Sequence, residues 1–181
     1  VFHCSGITCA ISRDSMESTM DALQLAEAKG LTIVCDINYR KNLWGYGMQP
    51  HDVIYNMMQY SDIVFGDQNE WEVASGVKHI PFNALDAGYV INREAYQEYF
   101  RKMHVLFPKC KKMVMALRNQ LASSHHTLTG LLYDAVHDCL YTTKIYDIQP
   151  IVDPMGVGDA FVAGYIHAHQ KWAADNQYCL D

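Results

Sequence analysis

The sequence predicts an α/β fold with a mostly parallel sheet, crossover helices and an antiparallel hairpin at one edge. Short apolar runs rich in β-branched residues alternate with amphipathic helical patterns over the first part of the chain, which is the element order of a parallel sheet. A later segment alternates apolar and polar residues on both sides of a turn, which favours a hairpin. Because no internal repeat, low-complexity tract or flexible linker interrupts the chain, residues 1–181 are interpreted as one domain.

Three short apolar runs are predicted to be the parallel strands. Continuous apolar runs of this length are typical of strands that are buried on both faces. They are LTIVCDI at 31–37, SDIVFGD at 61–67 and KKMVMAL at 111–117.

Two amphipathic helices are predicted, one before the first of these strands at 15–29 and one before the last at 92–107. For the first helix, Asp14 and Glu17 have the spacing of a capping box, and Gly30 is suited to end it. Met16, Met20, Leu23 and Glu27 fall on one stripe of the first helix, and the common apolar face of the second helix consists of Tyr96, Phe100, Met103 and Phe107.

From residue 128 the pattern changes to strict alternation around DAVHD at 134–138, which predicts the antiparallel hairpin. This hairpin leads directly into IVDPMGVGDAFVAGY at 151–165, where an apolar stretch turns into a helix. The helix is predicted to begin at 157–159. Its small residues, which are expected to lie tight against the sheet, are Ala160, Ala163, Gly164 and Ala168.

The composition excludes several classes of protein. Half of the 181 residues are apolar and 19% are charged, which suits a globular domain with a sizeable core. The net charge of -6 is scattered, and the one local basic cluster, at 109–112, is too short for a nucleic-acid track. No apolar run has the length of a membrane span and no signal-peptide pattern opens the chain, so a soluble cytoplasmic protein is expected. The six cysteines contain no C-x-x-C pair and are expected to be free thiols.

The glycine turn before the last predicted helix predicts an anion site. The first amides of a helix have no intrahelical partner and lie at the positive end of the helix dipole. Phosphoryl transfer requires donors around the non-bridging oxygens and a base near the attacking hydroxyl, and Gly-x-Gly-Asp offers both, with Asp159 as the base. No G-K-[ST] follows, so this is not a P-loop. The alternative is an ordinary helix start that Asp159 caps.

This segment resembles a known signature. DPMGVGDAFVAGY is similar to the D-T-x-G-A-G-D motif of the ribokinase-like, or PfkB, carbohydrate kinases, with Pro154 where Thr is usual and Val157 where Ala is usual. The resemblance implies a three-layer α/β/α fold, ATP and Mg²⁺ as cofactors with an optional monovalent cation, and Asp159 as the catalytic base. It assigns Asp153 to the ATP and Mg²⁺ region. The implied anion hole consists of the backbone amides of Gly156, Val157 and Gly158.

A second segment bears on the substrate. DINYRKNLW at 36–44 resembles the D-x-N-x-R-x-x-L-W segment of the 2-keto-3-deoxygluconate kinases (2-dehydro-3-deoxygluconokinases) within that family. It follows a predicted strand, at the end where open α/β sheets bind ligands. Arg40 is suited to a sugar-acid carboxylate, and Asn38 and Asp159 are the other substrate-binding candidates. The alternative is a solvated loop whose Trp44 packs on the core.

Two further segments concern the nucleotide. DQNEWEVASG at 67–76 resembles the N-x-x-E segment of the family, with Glu70 on the Glu and Asp67 where Asn is usual, which implies a place in the ATP and Mg²⁺ region. The alternative is that this pair simply caps a helix. The segment at 115–133 occupies the place of a strand and a nucleotide-facing turn, without assignable single contacts. The spacing of the nine histidines does not favour a metal site, and no direct protein ligand to a metal is assigned.

The resemblance runs from about Gly6 to Ala168 and does not cover a whole kinase. Family members carry further amino-terminal strands and a β lid over the sugar, so residues 1–181 are expected to be a partial, amino-terminally truncated kinase domain. The expected activity is ATP-dependent phosphorylation of 2-keto-3-deoxygluconate at its terminal primary hydroxyl. The alternatives are a fructokinase or other neutral-sugar kinase, or an inert fragment that only binds ligand. The expected partners are a sugar acid and ATP, without nucleic acid or membrane, and the full-length protein is expected to be a homo-oligomer.

Overall fold

The computed structural model describes residues 1–81 and 89–181, which form a mixed sheet with helices on both faces. The first four strands are parallel in chain order, and the fifth pairs antiparallel with the fourth, sixth and seventh. The strands of the described residues are β1 (Phe2–Ser5), β2 (Ile33–Asp36), β3 (Ile63–Asp67), β4 (Lys112–Ala122), β5 (His125–Asp134), β6 (Cys139–Thr142) and β7 (Tyr146–Ile148).

Two hydrophobic clusters separate the helices into two layers. The described helices are α1 (Gly6–Ile11), α2 (Arg13–Ala28), α3 (Pro50–Gln59), α4 (Gln68–Ser75), α5 (Arg93–Leu106), α6 (Val157–Trp172) and α7 (Asn176–Leu180), with a short 3-10 helix at Lys41–Leu43. The first five pack on one face of the sheet and the last two on the other. The predicted three-layer α/β/α fold with an antiparallel edge is therefore confirmed. None of the described helices combines the length and apolar composition needed to cross a bilayer.

The predicted strands and helices are present with small shifts at their ends. The runs at 31–37 and 61–67 contain β2 and β3, and the predicted core residues of the helix at 92–107 are all buried. One cap is wrong: the side chain of Ser12, not Asp14, caps α2 by accepting the Ser15 amide at 3.1 Å. Because α1 ends at Ile11, the extended backbone of Ser12 supplies the cap and Asp14 falls inside the first turn.

The strand predicted at 111–117 is longer than expected and forms a second hairpin. As β4 it continues to Ala122, turns at 123–124 and pairs antiparallel with β5. The extension is polar, because buried Leu117 and Asn119 alternate with exposed side chains. An apolar-run criterion stops at Leu117 and does not detect this continuation.

Helix α6 contacts the sheet through a different face from the one predicted. Its buried side chains are Val162 and Tyr165, whereas Ala160, Ala163 and Gly164 are exposed. The Phe65 ring on β3 makes edge contacts with Phe161 and Tyr165, at centroid distances of 6.0 and 5.2 Å. Burial of large apolar side chains outweighs the closer approach that small residues permit, so the bulky face of the helix lies inward.

A close backbone contact joins the ends of the first two strands. At Gly6, the first residue of α1, an added Cβ would lie 2.1 Å from the carbonyl oxygen of Ile37, the residue that follows β2. Only a residue without a side chain allows this approach. The contact fixes where the chain leaves β2 and enters the 36–44 segment.

We expect Gly6→Ala to lower the free energy of unfolding by about 2 kcal/mol, because a methyl group against a backbone carbonyl forces the strand ends apart. Chemical denaturation of the full-length protein measures this change. Gly45→Ala is the matched control, since an added Cβ there meets nothing within 4 Å, and it should change stability by less than about 0.5 kcal/mol. Equal effects of the two substitutions would contradict the close-contact explanation.

Candidate active site

Three acidic residues meet where two strands end and one helix begins. Asp36 ends β2, Asp67 ends β3 and Asp159 lies in the first turn of α6. This is the edge of the parallel strands at which open α/β sheets bind their ligands. A cleft of about 450 Å³ lies beside it, lined by His3, Asp36, Asp159 and side chains along α6.

The electrostatics of Asp36 show which charged groups are near it. Burial is the main reason that the pKa of Asp36 is raised to about 6, and the negative charges of Asp159 and Asp67 contribute to this rise. The backbone amide of Asn38 and the positive charge of Arg40 act in the opposite direction. Two further carboxylates and one guanidinium are thus within electrostatic reach of Asp36.

The segment after β2 holds Asn38 and Arg40 in a defined loop. The Ile37 amide donates to the Phe65 carbonyl at 2.9 Å, which extends the strand pairing by one residue. Asn38 then adopts a φ of 39°, a left-handed conformation that few residues other than Gly and Asn tolerate. The Arg40 Nε donates to the Asn38 side-chain oxygen at 3.0 Å, which orients the guanidinium. Trp44 packs in the core, as expected if this segment is a solvated loop held by that side chain.

The start of α6 is open to an anion. The helix begins at Val157, as predicted, and its cap residue, Gly156, has a φ of 77° and supplies no side-chain hydrogen bond. The first helical amides therefore have no partner within the helix, and an added Cβ at Gly158 would meet nothing within 4 Å. Asp159 is the third residue of the helix and not its cap, so the alternative of an Asp159-capped helix is wrong.

Asp67 and Glu70 form a reciprocal capping box at the start of α4. The Asp67 side chain accepts the Glu70 amide at 2.9 Å, and the Glu70 carboxylate accepts the Asp67 amide at 2.8 Å. The other Glu70 oxygen accepts the Tyr39 amide at 2.9 Å. Burial, followed by the charge of Asp67, raises the pKa of Glu70 to about 7. The capping alternative is confirmed for this pair, and its role toward ATP and Mg²⁺ stays a prediction.

Asp153 lies in the segment that leads into α6. It is exposed, and its side chain accepts the Met155 amide at 2.9 Å in a local turn before α6. It is not among the residues that line the cleft. The described residues 1–81 and 89–181 contain no group of three His, Cys, Asp or Glu side chains suited to hold a metal ion.

The predicted nucleotide-facing turn is the tight connection between β4 and β5. Ser124 in this turn accepts the Ile151 amide through its carbonyl at 2.9 Å. The turn is thereby tied to the segment that leads into α6. No individual nucleotide contact follows from this geometry.

Two residues of the first strand were missed by the sequence analysis. His3 lines the cleft, and burial lowers its pKa while the charge of Asp159 acts against that shift. Ser5 pairs with Asp36 in the strand register, and its hydroxyl is buried without a hydrogen-bond partner in the described part of the chain. The alternation in FHCS, directly before Gly6, is the signal that could have identified a strand there.

No protein-family model matches the chain. Over 99% of its length it is similar to the crystal structure of 2-dehydro-3-deoxygluconokinase from Thermotoga maritima, with a TM-score of 0.83 and 25% identity, and it covers 50% of that chain. A PfkB family carbohydrate kinase from Listeria grayi gives a TM-score of 0.79 at 24% identity over 98% of this chain and 50% of that one. A fructokinase with bound ATP from Xylella fastidiosa gives 0.60 at 17% identity over 99% and 48%.

These comparisons agree with the motifs. The chain spans about half the length of the kinases that it matches. The predicted resemblance is confirmed at the level of fold and structural neighbours. The chain has the ribokinase-like fold, and its structural neighbours are PfkB-family carbohydrate kinases, a 2-dehydro-3-deoxygluconokinase among them.

Proposed function

We propose that the protein is an ATP-dependent kinase that phosphorylates 2-keto-3-deoxygluconate at its terminal primary hydroxyl. The observation that carries this proposal is that Asp36, at the end of β2 just before the Arg40 loop, and Asp159, in the first turn of α6, line one cleft. The charges of Asp159 and Arg40 both act on the pKa of Asp36 there. Similarity to a 2-dehydro-3-deoxygluconokinase at 25% identity supports the substrate class. The ATP bound in the similar fructokinase supports the phosphoryl donor.

Asp159 is the proposed catalytic base. It accepts the proton of the attacking hydroxyl while that oxygen approaches the γ-phosphorus in line with the leaving group. Its position in the first helical turn favours a negative charge, because the positive end of the helix dipole is there.

The proposed anion hole consists of the backbone amides of Gly156, Val157 and Gly158. These amides lie at an uncapped helix start, so they can donate to the oxygens of the transferring phosphoryl group. Glycine on both sides of Val157 leaves the backbone accessible.

Mg²⁺ fits this edge of the sheet as a partner of the triphosphate. When bound, it neutralises the charge of the phosphate oxygens. Mg²⁺ commonly keeps several waters and takes few protein ligands, which suits a site without a three-ligand group among the described residues. Asp67, Glu70 and Asp153 are the proposed acidic residues of the ATP and Mg²⁺ region.

Arg40 is the proposed partner of the sugar-acid carboxylate. A guanidinium binds a carboxylate through two parallel hydrogen bonds, and a neutral sugar offers no such group. Asn38 holds the Arg40 side chain and is the second proposed substrate residue in the loop. Similarity to a fructokinase supports the neutral-sugar alternative at the level of the fold alone.

We expect Asp159→Asn in the full-length protein to lower kcat by about 1000-fold, because the amide cannot accept the hydroxyl proton. The sugar KM should stay within about threefold. Steady-state kinetics with saturating ATP measure both values. Asp52→Asn is the matched control, because Asp52 is also the third residue of its helix, α3, and is exposed. A kcat for Asp159→Asn close to that of this control would refute the base assignment.

For Arg40→Ala we expect kcat/KM for 2-keto-3-deoxygluconate to fall by about 50-fold, in line with the loss of a charge-assisted hydrogen-bonded pair. Turnover of fructose, measured in the same assay, should change by less than about twofold. Lys41→Ala removes the neighbouring exposed positive charge and serves as the control. Equal losses on the acid and on fructose would favour the neutral-sugar alternative.

A further inference from the structure

The carboxylate of Glu70 joins the ends of two strands. One of its oxygens accepts the Asp67 amide at 2.8 Å, and the other accepts the Tyr39 amide at 2.9 Å, across 31 residues of sequence. A capping box requires the first of these bonds only. The second bond connects α4 to the loop that follows β2.

Tyr39 is the central residue of the loop that carries the candidate sugar contacts. It lies between Asn38, whose left-handed backbone is uncommon outside glycine, and Arg40, whose side chain Asn38 holds at 3.0 Å. The strand pairing ends at Ile37. The Tyr39 amide bond to Glu70 is therefore a long-range anchor placed between the two residues proposed to hold the sugar.

The anchor depends on a carboxylate of this length. Two backbone amides donate to its two oxygens, whereas a carboxamide offers a single acceptor oxygen and an aspartate is one methylene shorter. Asp67 and Asp36 are the acidic groups that face Glu70, and together with burial they disfavour its charge. The two amide donors offset part of this cost.

We propose that Glu70 is a positioning residue for the sugar: through the Tyr39 amide it fixes the loop at 38–40 against the end of β3. The resemblance to the family implies a role for this residue at the metal and phosphate end of the site, and the bond to the Tyr39 amide adds a role at the sugar end. The identity of the bound sugar acid rests on the proposed function, whereas the bond between Glu70 and Tyr39 does not.

The test uses Glu70→Gln and Glu70→Asp in the full-length protein, with Glu72→Gln as the control. Glu72 lies on the same helix, and its carboxylate contacts His79 instead of the loop. We expect the sugar-acid KM to rise about tenfold in both Glu70 variants. Amide hydrogen exchange at Tyr39 should become about tenfold faster in both, and Glu72→Gln should alter neither quantity.

Two results would overturn the proposed role of Glu70. An unchanged sugar-acid KM in both Glu70 variants, with only kcat or the ATP KM altered, would confine Glu70 to the nucleotide end and overturn the proposal. Unchanged exchange at Tyr39 in both Glu70 variants would show that the bridge does not hold the loop. If the wild-type protein has no sugar-acid kinase activity, the proposed function fails, and the exchange comparison with Glu72→Gln still decides whether Glu70 anchors the loop.

Discussion

Phe65 is the residue through which the two halves of the candidate site are held together. Its ring, 2% exposed, receives the aromatic face of α6, and its carbonyl accepts the amide of Ile37 at the end of β2. The helix that carries Asp159 and the loop that carries Arg40 are thus both fixed to one residue of β3. Buried aromatic contacts of this kind resist displacement, because moving either partner exposes a large apolar area to water.

The acidic edge of the sheet is organised at an electrostatic cost. Asp36 and Glu70 both have raised pKa values, of about 6 and about 7, because burial and neighbouring carboxylates disfavour their charged forms. Cations relieve such repulsion. A cation bound among these carboxylates would therefore stabilise the site, and electrostatic arrangements of this type are characteristic of functional sites.

Most of the strands and helices could be predicted from the sequence, because patterns of nearby residues determine them. The strands around Val34 and Val64 and the core face of α5 follow from apolar patterning, and the helix start at Val157 follows from its glycines. What could not be predicted depends on contacts between distant segments. The inward face of α6 is decided by Phe65, nearly a hundred residues earlier, and the second acceptor role of Glu70 by Tyr39.

The missed first strand has a similar cause. A four-residue strand at the edge of a sheet has little hydrophobic signal of its own, since only one of its residues is buried and half of them are polar. Gly6 marks it only after the close approach to Ile37 is known. The alternation in FHCS indicates a strand, but only the pairing of β1 with β2 places His3 and Ser5 at the candidate site.

The hydrogen bond between Glu70 and the Tyr39 amide connects α4 to the loop at 38–40. This loop can therefore be altered without replacing a residue that is proposed to contact the sugar. Residues that contact a ligand are difficult to replace without loss of activity, whereas substitutions in a helix cap change stability in small steps. Because Glu70 lies in the first turn of α4 and accepts the Tyr39 amide, the position of this turn affects the placement of the neighbouring Arg40. Under the proposed function, sugar preference would then depend on Glu70, whose two oxygens accept backbone amides of the protein.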